Sequence, residues 1–133
     1  MVDGIFGEEM INQVLAYIGA GLTALWGVAH LFPTKNVVAD FGNISEDNRN
    51  IIKMEWIVEG VALIFMGALV ATVTAVDAAS PVTRAVYWLA VIGLNALSVV
   101  SLFTGFKVNF IPFKLCPVIF TGSSILIGLG ILL

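Results

Sequence analysis

Apolar runs long enough to cross a bilayer recur four times along the chain, and nearly every charged residue falls between them. The first, VLAYIGAGLTALWGVAHLF, covers 14–32, and the second, WIVEGVALIFMGALVATVTAV, covers 56–76. The third, AVYWLAVIGLNALSVVSLF, covers 85–103, and the fourth, LCPVIFTGSSILIGLGILL, covers 115–133. At ~1.5 Å of rise per residue each run spans a hydrocarbon core of about 30 Å as a helix, whereas a strand needs only half that length. The alternating polarity of a transmembrane barrel is absent. Helices then leave no backbone group unpaired in lipid. The pattern predicts an all-α integral membrane protein, a single up-down four-helix bundle over 1–133 with helices at about 11–32, 46–76, 82–104 and 115–133.

The ends of these helices have local causes. Pro33 closes the first, because the residue before a proline is pushed out of the α region. In NISEDNRN, Ser45 is a good N-cap with Glu46 and Asp47 in the first turn, so the second helix starts outside the bilayer and enters it near Met54. Ala79, Ser80 and Pro81 make a tight turn into the third helix. GFKVNFIPFK, Gly105 to Lys114, joins the third and fourth with the aromatic and cationic mixture of a headgroup interface.

Composition narrows the classes further. Of 133 residues, 59% are hydrophobic and 11% charged, and the mean hydropathy is +1.04, so a soluble fold would lack polar surface. Four spans use nearly all of the length and leave no room for a catalytic domain outside the membrane. A net charge of −3 supplies no basic stripe to neutralise phosphates, which excludes nucleic acid as a partner. The single Cys116 makes no intrachain disulfide and reads as packing. Asp3, Glu8 and Glu9 stand where a cleavable signal would carry positive charge, so the first run is expected to be retained.

The basic residues set a direction. Lys35, Arg49 and Lys53 follow the first helix, Lys107 and Lys114 follow the third, and only Arg84 stands opposite. Short basic loops stay in the cytoplasm, so both ends of the chain, Leu133 and the Asp77 turn are expected on the other side of the cell membrane.

Two carboxylates, Glu55 and Glu59, enter the second helix on one face, and the only histidine, His30, lies near the end of the first. The orientation brings all three to one depth near the cytoplasmic boundary. Gly19, Thr23 and Gly27 recur every fourth residue on the first helix, a stripe that His30 continues, and Gly60 and Gly67 flank the carboxylate face of the second. Asn95, mid-membrane on the third helix near Ser98, is a further candidate to line this interior, while Gly122, Gly128 and Gly130 notch the fourth for a partner helix. An ionised carboxylate in hydrocarbon costs several kcal/mol, and two on successive turns repel. A shared proton, a bound cation or a protonated His30 would relieve that strain.

The same residues also permit a structural role, in which Glu55 snorkels to water beside Trp56 and a neutral Glu59 fixes helix register through His30 or Asn95. One imidazole and two carboxylates are half of a carboxylate-bridged dimetal set, so a metal site is disfavoured without a second subunit. Bis-histidine haem ligation needs a second chain, Trp26 reads as a packing residue before a stacking platform, and no Ser–His–Asp or Cys–His set supports an enzyme. No pattern specifies a cofactor.

WGVAHLFP, the polar loop after it and EWIVEG give a layout similar to that of DoxX-like membrane proteins. The similarity is one of topology, and no functional residue follows from it. The expected function is that of an accessory or scaffold subunit or a homo-oligomer, partnered by the bilayer and other membrane subunits. The alternatives are a proton- or cation-coupled carrier using Glu59 and His30, and a redox component binding a cofactor or lipophilic ligand.

Overall fold

A computed structural model describes residues 2–132; Met1 and Leu133 lie outside the described residues, as do the side chains of Val2, Asp3, Ile5 and Phe6. The described residues are helical almost throughout and contain no strand. In chain order they form α1 (Val2–Leu31), α2 (Thr34–Asp40), α3 (Glu46–Asp77), α4 (Pro81–Thr104), a 3₁₀ turn (Gly105–Lys107) and α5 (Ile111–Leu132). Four segments, Gly7–Leu31, Glu46–Asp77, Pro81–Lys107 and Ile111–Leu132, are long and apolar enough to cross a membrane.

Local chemistry sets the ends of the helices. Ser45 caps α3 by accepting from the Asn48 N–H at 3.1 Å, with Glu46 and Asp47 in the first turn against the positive end of the helix dipole. Ser80 caps α4 in the same way through Thr83 N–H, with Pro81 at a first-turn position where its missing N–H leaves nothing unpaired. Gly42, at φ +68°, turns the chain after α2 in a conformation that other residues rarely adopt, and its carbonyl accepts from Arg49 Nη2.

The boundaries differ from expectation at three places. The first helix begins at Val2 rather than near residue 11, because a helix continues through polar residues in water and the apolar run marks only its lipid-facing part. Thr34–Asp40, expected as loop, is a short helix that buries Val37 and Val38. The last helix begins at Ile111 rather than at 115, since Pro112 is tolerated in a first turn.

Small residues bring α1 and α3 into backbone contact. A β-carbon on Gly27 would lie 2.6 Å from the Gly60 carbonyl oxygen, and one on Gly67 would lie 2.5 Å from that of Ala20. Gly19 belongs to a different seam: a β-carbon there would meet the Ser123 carbonyl at 2.9 Å and Ile127 at 2.8 Å, on α5. The stripe therefore serves two neighbours, because successive steps of four drift around an α-helix and Gly19 has turned toward α5. Thr23, fully buried between these positions, returns its hydroxyl to the Gly19 carbonyl at 2.9 Å.

Helices α3 and α4 touch near the Asp77–Pro81 turn. The Thr74 and Tyr87 hydroxyls share a hydrogen bond, and Thr83 Oγ1 donates to the Val73 and Asp77 carbonyls. Ser98 joins α4 to α5 through the Pro117 carbonyl and the Thr121 hydroxyl. The three glycines of α5 expected to notch it for a partner stand in different surroundings. Gly130 lies against Asn12, Ala16 and Tyr87, Gly128 meets only Val91 of α4, and Gly122 has nothing within 4 Å of its β-position. Inside the helices Leu63, Val70, Leu94, Phe120 and Ile127 form a closely buried cluster.

Candidate functional site

The last turn of α1 carries His30 into the space between α3, α4 and α5. Its nearest polar neighbour is Glu59, with Nε2 and Oε2 3.4 Å apart, an ion-pair distance without hydrogen-bond alignment. The histidine side chain is 6% exposed and the glutamate 43%. Nε2 is thus a buried polar atom with no hydrogen-bond partner, a state that native interiors seldom tolerate without a reason.

Trp56 fixes the imidazole. Their rings stack at 3.9 Å between centroids and 15° between planes, and the indole N–H donates to the His30 carbonyl oxygen at 2.6 Å. That bond also satisfies one of the carbonyls left open at the end of α1. Phe113 of α5 meets Trp56 in a T-shaped contact, with ring centroids 5.6 Å apart.

Around His30 and Glu59 lies a cavity of about 360 Å³, walled by Leu97, Val100, Ser101 and Thr104 of α4 and by Phe113 and Cys116 of α5. Every long helix contributes to it. Glu59 on α3, Val100 and Thr104 on α4, and Val108 after the 3₁₀ turn are all substantially exposed and form its rim. Pro117 has no N–H to offer the carbonyl of Phe113, four residues earlier, so the wall contains a backbone acceptor without its usual helical donor. Among the described residues no three histidine, cysteine, aspartate or glutamate side chains are grouped to hold a metal ion.

The other sequence candidates are placed elsewhere. Glu55 is exposed and does not line the His30 cavity; it borders a shallow hollow with Ile51, Ile52, Trp56 and Val58, which Glu59 also borders from the next turn. Asn95 does not line the cavity either; its amide donates to the Val91 carbonyl at 2.7 Å and to Ser124 Oγ at 2.6 Å. It joins α4 to α5, since it lies nearly two turns deeper than Ser101. Trp26 packs on the apolar cluster with its N–H unpaired, and it is Trp56 that stacks. Cys116, expected as packing, borders the cavity while its thiol donates to the Pro112 carbonyl.

The residues that sequence reasoning missed carried signals of their own. Trp56 is three residues before Glu59 and shares its face, and Ser101 and Thr104 are polar at the same spacing where an apolar run ends. No family model, curated protein or solved structure matches the chain.

Proposed function

We propose that the chain is a multi-pass protein of the cell membrane, an up-down four-helix bundle with both ends outside and the basic loops in the cytoplasm. Its function in this reading is to hold a small lipophilic molecule in the His30–Glu59 cavity. The observation that carries it is the buried His30 Nε2, without a hydrogen-bond partner and 3.4 Å from Glu59 Oε2 at the edge of a cavity of about 360 Å³. Such pockets combine apolar walls with a few polar groups that fix orientation. Leu97, Val100 and Phe113 supply the walls here, and His30, Glu59, Ser101 and Thr104 supply the polar groups.

Ion passage through one chain is less well supported. Leu63, Leu94 and Phe120, each at most 1% exposed, lie one to two turns deeper than the pair, and the buried hydroxyls of Thr23 and Ser98 are already bonded to backbone carbonyls or to Thr121. An accessory or homo-oligomeric role is compatible with ligand binding, and the open β-position of Gly122 on α5 favours a neighbouring helix there.

Native mass spectrometry of the protein released from nanodiscs tests the ligand reading. A retained lipophilic molecule is expected in the wild type and not in Ser101→Phe, which fills the cavity. Identical adducts in both proteins, with both folded, would overturn it.

A further inference from the structure

We infer that the ligand is a lipophilic primary or secondary amine, with its ammonium held between Glu59 and His30 and its chain along the seam of α3 and α4. The inference rests on the ligand-binding reading above and specifies its chemistry.

The head end of the cavity presents several acceptors, and Ser101 adds a hydroxyl that can donate or accept. Glu59 offers a carboxylate, and among the described residues its only charged or chargeable neighbour within ion-pair range is His30. His30 Nε2 has no hydrogen-bond partner and is available to accept from a donor as an imidazole nitrogen. Thr104 already donates its hydroxyl to the Val100 carbonyl at 2.6 Å, which leaves its oxygen free only to accept. The Phe113 carbonyl lacks the helical donor that Pro117 cannot provide. No lysine or arginine lines the cavity. An anionic head would meet Glu59 without compensation, whereas an ammonium brings both the charge and the N–H donors that these acceptors lack.

Aromatic geometry selects among cations. A quaternary ammonium is recognised by open ring faces. Here one Trp56 face is covered by His30 at 3.9 Å, and Trp56 is not among the residues that line the cavity. A head with N–H groups can donate to Glu59 and His30, whereas a fully methylated one has no donor to offer them.

The tail has a place on the same two helices. A second hollow of about 320 Å³ runs between α3 and α4, lined by Ala62, Phe65, Met66, Leu89 and Ala90 with almost no polar surface. Ala62 follows Glu59 by one turn, and Gly93 lies one turn from both Ala90 and Leu97. A β-carbon on Gly93 would meet only Met66 Cε, at 3.5 Å. The polar cavity and the apolar hollow therefore succeed one another along one seam, the outline of an amphiphile.

The test uses the full chain in phosphatidylcholine nanodiscs with dodecylamine, dodecanol and dodecanoate as probes, scored by native mass spectrometry. Dodecylamine is expected to be retained at least about tenfold more tightly than dodecanol, the step between a charge-assisted and a neutral hydrogen bond, and dodecanoate least. Glu59→Gln should erase the preference for amine over alcohol while dodecanol retention stays unchanged. Glu59→Asp should keep the preference, and so separates loss of charge from loss of fold. Gly93→Leu should weaken dodecylamine but not butylamine. Equal retention of amine and alcohol, or a preference that survives Glu59→Gln, overturns the amine assignment and leaves the ligand reading standing. Failure of every alkyl probe, with no co-purified lipophile sensitive to Ser101→Phe, overturns both.

Discussion

Trp56 holds His30 twice, by stacking on its ring at 3.9 Å and by donating its indole N–H to its backbone carbonyl at 2.6 Å. One side chain of α3 thus fixes both the end of α1 and the orientation of the imidazole. Trp56→Phe keeps a ring and loses the hydrogen bond, and should lower stability by about 1 kcal/mol. Trp56→Leu loses both links and should lower it by about 1–3 kcal/mol. Reversible unfolding in mixed detergent micelles, followed by circular dichroism, measures the difference, and equal losses in the two variants would show that the stack contributes nothing.

The close approach of α1 and α3 depends on glycines that face backbone. Gly27→Ala puts a methyl 2.6 Å from the Gly60 carbonyl oxygen, and Gly67→Ala puts one 2.5 Å from that of Ala20. Each should destabilise by about 1–3 kcal/mol, as overpacking does when neither neighbour can yield. Gly122→Ala meets open space and should not destabilise, and it serves as the control in the same unfolding assay.

Tyr87→Phe removes the hydrogen bond with Thr74 at the far end of the α3–α4 seam. Thr74 also donates to the Val70 carbonyl, so the loss leaves no donor stranded. A modest loss of about 0.6 kcal/mol is expected, typical of hydrogen bonds between membrane helices. A loss several times larger would mean that this contact, and not the glycine seams, governs the packing of α4.

Asn95→Ala breaks the link to Ser124 and should also cost about 0.6 kcal/mol. Because Asn95 is outside the cavity, the variant should retain dodecylamine as the wild type does. Weakened retention in a folded variant would return Asn95 to the site.

The expected orientation can be read with single cysteines in a Cys116→Ser background. Asn43 and Asn109, in the two basic loops, should react with impermeant maleimide only when the cytoplasmic face is exposed. Ala79, in the turn before α4, should react only from the opposite side. Labelling of all three from one side would refute the four-span arrangement.

The long helices were legible because each apolar run by itself satisfies the length that a bilayer demands, whatever packs against it. Thr34–Asp40 was not, since seven residues show no period and their helicity comes from burying Val37 and Val38. Counting helical rise placed His30 and Glu59 at one depth, and they stand 3.4 Å apart. Depth alone misled at Glu55 and Asn95, whose positions depend on helix rotation and on which neighbour each helix meets. The division of the glycine stripe, with Gly19 on α5 and Gly27 on α3, is the same kind of fact: it follows from angles between helices that a linear pattern does not contain.

The exposed rim at Glu59 and Val100 has a consequence for exchange under the proposed reading. In the proposed orientation that part of the rim lies at acyl-chain depth, and an occupant entering there would arrive by lateral diffusion within one leaflet. The concentration that fills the site is then the concentration in the leaflet. Two molecules with equal contacts inside the cavity would differ in apparent affinity by the ratio of their bilayer partition coefficients, and the lipid composition around the protein would set its occupancy as directly as any residue does.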